Sequence, residues 1–150
     1  MKEIIQKVKN LSVGFKSQKG NEISILKNIT TNIKKGETVG IVGESGSGKS
    51  TLALAMMGYV KQGLFTMEGE CIFNSSNLLT MDNRELEKIR GRKIAMIPQN
   101  AGQSLTPNLK IGYQIDEALK LHTNLNKIER DKKISELLNK VRLPSPETIA

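Results

Sequence analysis

An α/β fold is predicted by three observations along this 150-residue chain. A short β-branched run, Thr38-Val39-Gly40-Ile41-Val42, ends in a glycine-rich loop. That loop passes directly into Thr51-Leu52-Ala53-Leu54-Ala55-Met56-Met57, strong helix-forming sequence with no breaker before Gly58. Strand-like and helix-like segments then alternate as far as Gln99, after which only helical pattern remains.

The elements follow in order. Val8 to Phe15 reads as a strand, and the polar stretch Lys16 to Glu22 turns it into a second strand over Ile23 to Leu26, so the pair is a hairpin. Lys35-Gly36-Glu37 is a turn ahead of the Thr38–Val42 strand, and Gly69 to Asn74 is a further short strand after the helix. Asp82 with Glu85 has capping-box spacing for a helix through Arg90, closed by Gly91. Ile94-Ala95-Met96-Ile97 is a buried strand ended by Pro98. Beyond it, Ile111 to Leu121 is one helix. Asn126 with Glu129 starts another, whose Ile134, Leu137, Leu138 and Val141 fall at i, i+3, i+4 and i+7. Ser145-Pro146-Glu147 pairs an N-cap with a proline at the first helical position, the start of a third.

The loop between the first parallel strand and its helix carries the chemistry. Gly43-Glu44-Ser45-Gly46-Ser47-Gly48-Lys49-Ser50 fits G-x-x-x-x-G-K-[ST], and chance alone matches that pattern in on the order of one chain in a hundred of this length. Several backbone N–H groups must face one concavity to hold a triphosphate, and glycines permit the required backbone and the close approach. Lys49 adds a full charge aimed at the β- and γ-phosphates, Ser50 offers a hydroxyl to Mg²⁺, and Thr51 is placed for the α-phosphate. The alternative, a Ser/Gly connector, does not need the flanking strand and helix.

Composition is that of an ordinary globular domain, with 37% hydrophobic and 25% charged residues. The longest apolar stretch, Leu52 to Val60, is far too short to cross a bilayer, and the first seven residues lack the core of a signal peptide, so a cytosolic location is expected. Cys71 is the single cysteine, an unremarkable reduced thiol on a strand, which excludes an internal disulfide. The net charge of +8 includes one tight cluster, Arg90-Gly91-Arg92-Lys93. With only 3% aromatic residues for base stacking, no direct nucleic-acid partner is expected.

Taken together, Val42 to Ser50, Arg90 to Gln99, Ser104-Leu105-Thr106-Pro107 and Ile111-Gly112-Tyr113-Gln114-Ile115 resemble the N-terminal part of an ABC transporter ATP-binding subunit. They look most like the oligopeptide, dipeptide and nickel uptake ATPases. The resemblance implies a P-loop fragment with an antiparallel β subdomain, a partial parallel core sheet and the start of a helical subdomain. It divides the chain into an ATP-binding core at 1–99 and a helical part at 100–150. It implies ATP and Mg²⁺ as ligands, with Phe15 stacking on adenine and Gly43, Glu44, Ser45, Gly46, Ser47, Gly48, Lys49, Ser50 and Thr51 forming the Walker A loop. Gln99 is then the Q-loop glutamine, which contacts Mg²⁺ and the attacking water; with Lys49 it makes the catalytic set. Asn100 and Ala101 depart from the acidic-proline pair expected after it. The implied partners are transmembrane permease subunits and a second ATP-binding subunit, at the inner face of the plasma membrane.

The family's signature motif, Walker B strand with catalytic glutamate, D-loop and switch histidine are not among the 150 residues. The chain by itself is therefore expected not to turn over ATP and to be marginally stable. Alternatives are a truncation product that only binds nucleotide and a soluble ABC ATPase. Two decoys are set aside: Ile115-Asp116-Glu117 has a Walker B carboxylate pair but helical surroundings, and Asn126-Lys127-Ile128-Glu129 resembles a guanine-reading motif but starts a helix. His122 is expected to be solvent-exposed at a helix end.

Overall fold

The computed structural model describes residues 2–141, in two compact units, Met1–Glu87 and Lys88–Ala150. The start of a third helix predicted at 145–147 lies outside the described residues.

In the first unit, strands β1 (Ile4–Lys16) and β2 (Glu22–Lys34) form the predicted hairpin, longer than the sequence suggested. The polar turn closes it through Ser17 N–H donating to Asn21 O and Gly20 N–H to Ser17 O. Strand β3 (Phe65–Phe73) pairs antiparallel with the other edge of β1, and the two-residue β4 (Ser76–Asn77) extends the sheet to the order β2-β1-β3-β4. β1 is the most buried strand, and Val8, Leu11 and Val13 are fully buried on it with Cys71 opposite Val8 on β3. The register slips between Lys9 and Ser12, where Gly69 has φ 94° and a Cβ there would meet Lys9 O and Asn10 O at 2.5 Å. Only glycine lets the β3 backbone approach β1 so closely.

Helix α1 (Lys49–Ala55) buries Leu52 and Ala55, and Met56 beyond its end, against this unit's core. Helix α2 (Asn83–Glu87) begins with the predicted capping box: Glu85 N–H donates to Asp82 Oδ1 and Asp82 N–H to Glu85 Oε2. It stops short of Arg90, because Lys93 and Ile94 both donate to Ile89 O and Gly91 donates to Ile94 O, turning the chain before another helical turn can form.

Two predicted strands are not built. Among the described residues, Thr38–Val42 and Ile94–Ile97 belong to no sheet, and the only pairing near them is an isolated bridge between Arg90 and Ile94. Val42 is 97% exposed, and Ile97 at 92% corrects the burial expected for Ile94–Ile97. A strand exists through its lateral hydrogen bonds, and parallel strands are normally covered on both faces. β-branched composition alone supplies neither.

The second unit is a helical hairpin, α3 (Ile111–His122) and α4 (Lys127–Lys140), preceded by a 3₁₀ turn at Ala101–Ser104. α4 starts with a full capping box between Asn126 and Glu129, as its spacing predicted. Ile134 and Leu138 are buried, while Val141 is 64% exposed just past the helix end. The Gln114 side chain ties the loop to α3, accepting from Thr106 N–H and donating to Thr106 O and Leu109 O.

Candidate functional site

The glycine-rich loop Gly43–Ser50 folds as a turn closed by its own lysine. Gly46 (φ 84°) and Gly48 (φ 86°) take the left-handed backbone that side chains resist, and a Cβ on Gly48 would meet Leu26 Cδ2 of β2 at 2.8 Å. Ser47 N–H donates to Glu44 O, tightening the turn, and Gly48 then caps α1 without any side-chain bond. The cap position is therefore left to backbone donors, as a loop that receives an anion requires.

Lys49 is the first residue of α1 and folds back across the loop. Its Nζ donates to Gly43 O at 2.8 Å, Glu44 O at 2.6 Å and Ser47 Oγ at 3.4 Å. The ammonium thus spans the loop from its first glycine to its fifth residue. Ser50 is exposed beside it and Thr51 half-buried. The hydroxyl at Ser50, one residue beyond the cation, is a hard oxygen donor suited to Mg²⁺.

The same unit brings the end of β1 to this loop. Val13, two residues before Phe15, lines a pocket of about 190 Å³ with Ser50, Thr51, Leu54, Tyr59, Lys61 and neighbouring residues. Phe15 itself is half-buried, opposite Ile23, and the next residue, Lys16, lies over the Phe65 ring at 5.9 Å. Gln99 belongs to the second unit, where it is exposed in a bend after Pro98.

The decoys resolve as helix. Asp116 lies within α3 and accepts from Arg130 Nε of α4 at 2.6 Å. That hydrogen bond, aided by the Arg130 charge, holds the Asp116 carboxyl below the usual range and pushes the Arg130 guanidinium higher still. His122, expected to be exposed, is half-buried: the end of α3 presses its ring against Gly91, filling the space a Cβ there would need. Burial raises the Cys71 thiol above its ordinary value, against the opposing effect of a hydrogen bond from Gln6 at 3.4 Å.

Three residues in or behind the candidate site were missed from sequence. Tyr59 and Lys61 line the pocket beside Ser50 and Thr51, with no motif to announce them. Gln6 donates through Nε2 to Met56 O, the carbonyl at the end of α1. Its one signal was position, since the strand period puts it on the face of buried Val8.

Residues 26–149 match the family described as ABC transporter. The chain is 39% identical over 146 residues to the dipeptide transport ATP-binding protein DppD of Lactococcus lactis subsp. cremoris, covering 97% of this chain and 42% of that protein. It is 38% identical to the oligopeptide transport ATP-binding protein OppD of Bacillus subtilis, covering 93% and 39%. Among solved structures, a dimeric post-hydrolysis state of the ATP-binding cassette MJ0796 bound to ADP and Pi aligns with a TM-score of 0.78 at 32% identity, over 93% of this chain and 58% of that one. The chain thus spans about two fifths of the length of these curated relatives. With a wrapped glycine loop closed by its lysine and a match over most of its length, it belongs to the ABC transporter ATP-binding family.

Proposed function

We propose that this chain is the nucleotide-binding part of the ATP-binding subunit of an ABC importer, and that it binds ATP with Mg²⁺. The observation that supports the reading is Lys49 folded over the loop onto Gly43 O and Glu44 O, which keeps a cation at the loop proposed to receive the β- and γ-phosphates. Backbone amides of Gly46 to Ser50 would hold phosphate oxygens, and Thr51 the α-phosphate. Ser50 would hold Mg²⁺, whose charge when bound neutralises the β- and γ-phosphate oxygens. Phe15 would stack on the base and, having no hydrogen-bonding edge, would discriminate little between purines. Gln99 is proposed as the Q-loop glutamine, with its amide serving the metal and the attacking water in the whole protein.

Peptides are the cargo proposed, supported by the dipeptide and oligopeptide transport names of the relatives, in preference to nickel. The proposed partners are permease subunits in the membrane and a second ATP-binding subunit, with the chain on the cytoplasmic face. No helix among the described residues is long and apolar enough to cross a membrane. Calorimetry tests the loop: Lys49→Ala should weaken ATP binding by roughly 1.5–3 kcal/mol, the scale of a charged hydrogen bond. Equal affinity in the two chains would remove the basis for this reading.

A further inference from the structure

We infer that Gln6 is a positioning residue for the Walker A loop, acting from the far end of α1; the inference rests on the nucleotide-binding reading above. α1 has seven residues, two turns that cannot stand alone, so its tertiary contacts decide where Lys49 and Ser50 sit. At the loop end, Gly48 lies against Ile25 O and Leu26 Cδ2 of β2. At the other end, Met56 O is one of the last-turn carbonyls that lack helical partners, and it accepts from Gln6 Nε2 of β1. The two strands of one hairpin therefore hold the two ends of the helix. Gln6 is half-buried and also donates toward Cys71 Sγ at 3.4 Å, a weaker bond than the one to Met56 O because a thiol sulfur is a weak acceptor. Leu52 N–H bonds to Gly48 O and Met56 N–H to Leu52 O, so one ladder connects the Gln6 anchor to the loop.

The test uses the whole chain and three variants. Gln6→Leu keeps bulk and removes the donor, Gln6→Lys restores a donor suited to a helix C-terminus, and Cys71→Val removes the thiol while leaving Met56 O its partner. Amide exchange without nucleotide should quicken about fivefold at Leu52 and Met56 in Gln6→Leu, the effect of one ordinary hydrogen bond, with the Val8 ladder unchanged. Gln6→Lys and Cys71→Val should match the parent. Mg²⁺-ATP affinity should fall by a similar factor in Gln6→Leu and recover in Gln6→Lys. Unchanged exchange at Leu52 in Gln6→Leu, or equal losses in Gln6→Leu and Gln6→Lys, would overturn the inference. Should Gln6→Leu fail to fold, Gln6→Met, which keeps the length and removes the donor, takes its place, and an exchange rate at Leu52 equal to the parent's would overturn the inference. A parent chain that binds no ATP would refute the nucleotide reading, and the exchange pattern would still settle whether Gln6 anchors the loop.

Discussion

The hairpin β1–β2 and the segment Thr38–Val42 are both rich in β-branched and apolar residues, yet one is the core of the first unit and the other is exposed. Val8, Leu11 and Val13 are fully buried, whereas Val42 is 97% exposed. The hairpin's partner follows after a five-residue turn, and β3 returns to its other edge. A parallel strand has no such neighbour in sequence; its partner comes only after a crossover. Apolar composition therefore makes a strand possible, and proximity of a partner makes it real. Ile94–Ile97 repeats the lesson in the second unit, with Ile97 92% exposed.

This contrast can be broken by mutation. The largest effect is expected at the hairpin: Leu11→Ala should lower stability by about 2–5 kcal/mol in urea unfolding, as for other buried leucines. Val42→Ala and Ile97→Ala should each change it by less than about 0.5 kcal/mol. A large loss at Val42 would mean that the segment is packed in solution and that the difference between the two regions is not real.

Gly69→Ala comes next. The added Cβ must displace backbone oxygens of Lys9 and Asn10 at a positive φ, so a loss of roughly 1–3 kcal/mol is expected from strain at that position. An unchanged melting curve would show that β3 can move away from β1 without penalty.

The exposed segments should show themselves in association rather than stability. Unpaired apolar strands are templates for pairing with other chains, and a charge on such an edge blocks it. The double variant Val42→Lys with Ile97→Lys should shift the chain toward monomer in sedimentation, with ATP affinity within about twofold of the parent, a change below about 0.5 kcal/mol. Parent and variant sedimenting alike would show that these segments do not drive association.

The smallest effect lies in the helical hairpin, whose Asp116–Arg130 pair joins α3 to α4. Asp116 has a lowered folded-state value, so its contribution is present above the unfolded carboxyl value and is lost as pH falls through the folded one. The gap in melting temperature between parent and Asp116→Asn should be constant near neutrality and narrow below about pH 4, near the unfolded aspartate value. A gap independent of pH down to the acid limit would assign the pair's role to packing of the Arg130 stem.

The sequence by itself determined the features that act over a few residues. The capping boxes at Asp82/Glu85 and Asn126/Glu129 are closed by bonds three residues apart, and the glycine pattern of the loop imposes its own backbone at Gly46 and Gly48. The hairpin turn at Lys16 to Glu22 is of the same kind, and the candidate phosphate loop was legible because its residues are contiguous. Tertiary structure alone decided what depends on distant partners. It left Thr38–Val42 and Ile94–Ile97 outside the sheet, drew His122 under Gly91, placed Tyr59 and Lys61 beside Ser50, and set Gln6 against Met56, fifty residues away. Local hydrogen bonds are specified by spacing along the chain, whereas lateral pairing and side-chain anchoring depend on which surfaces the fold brings together.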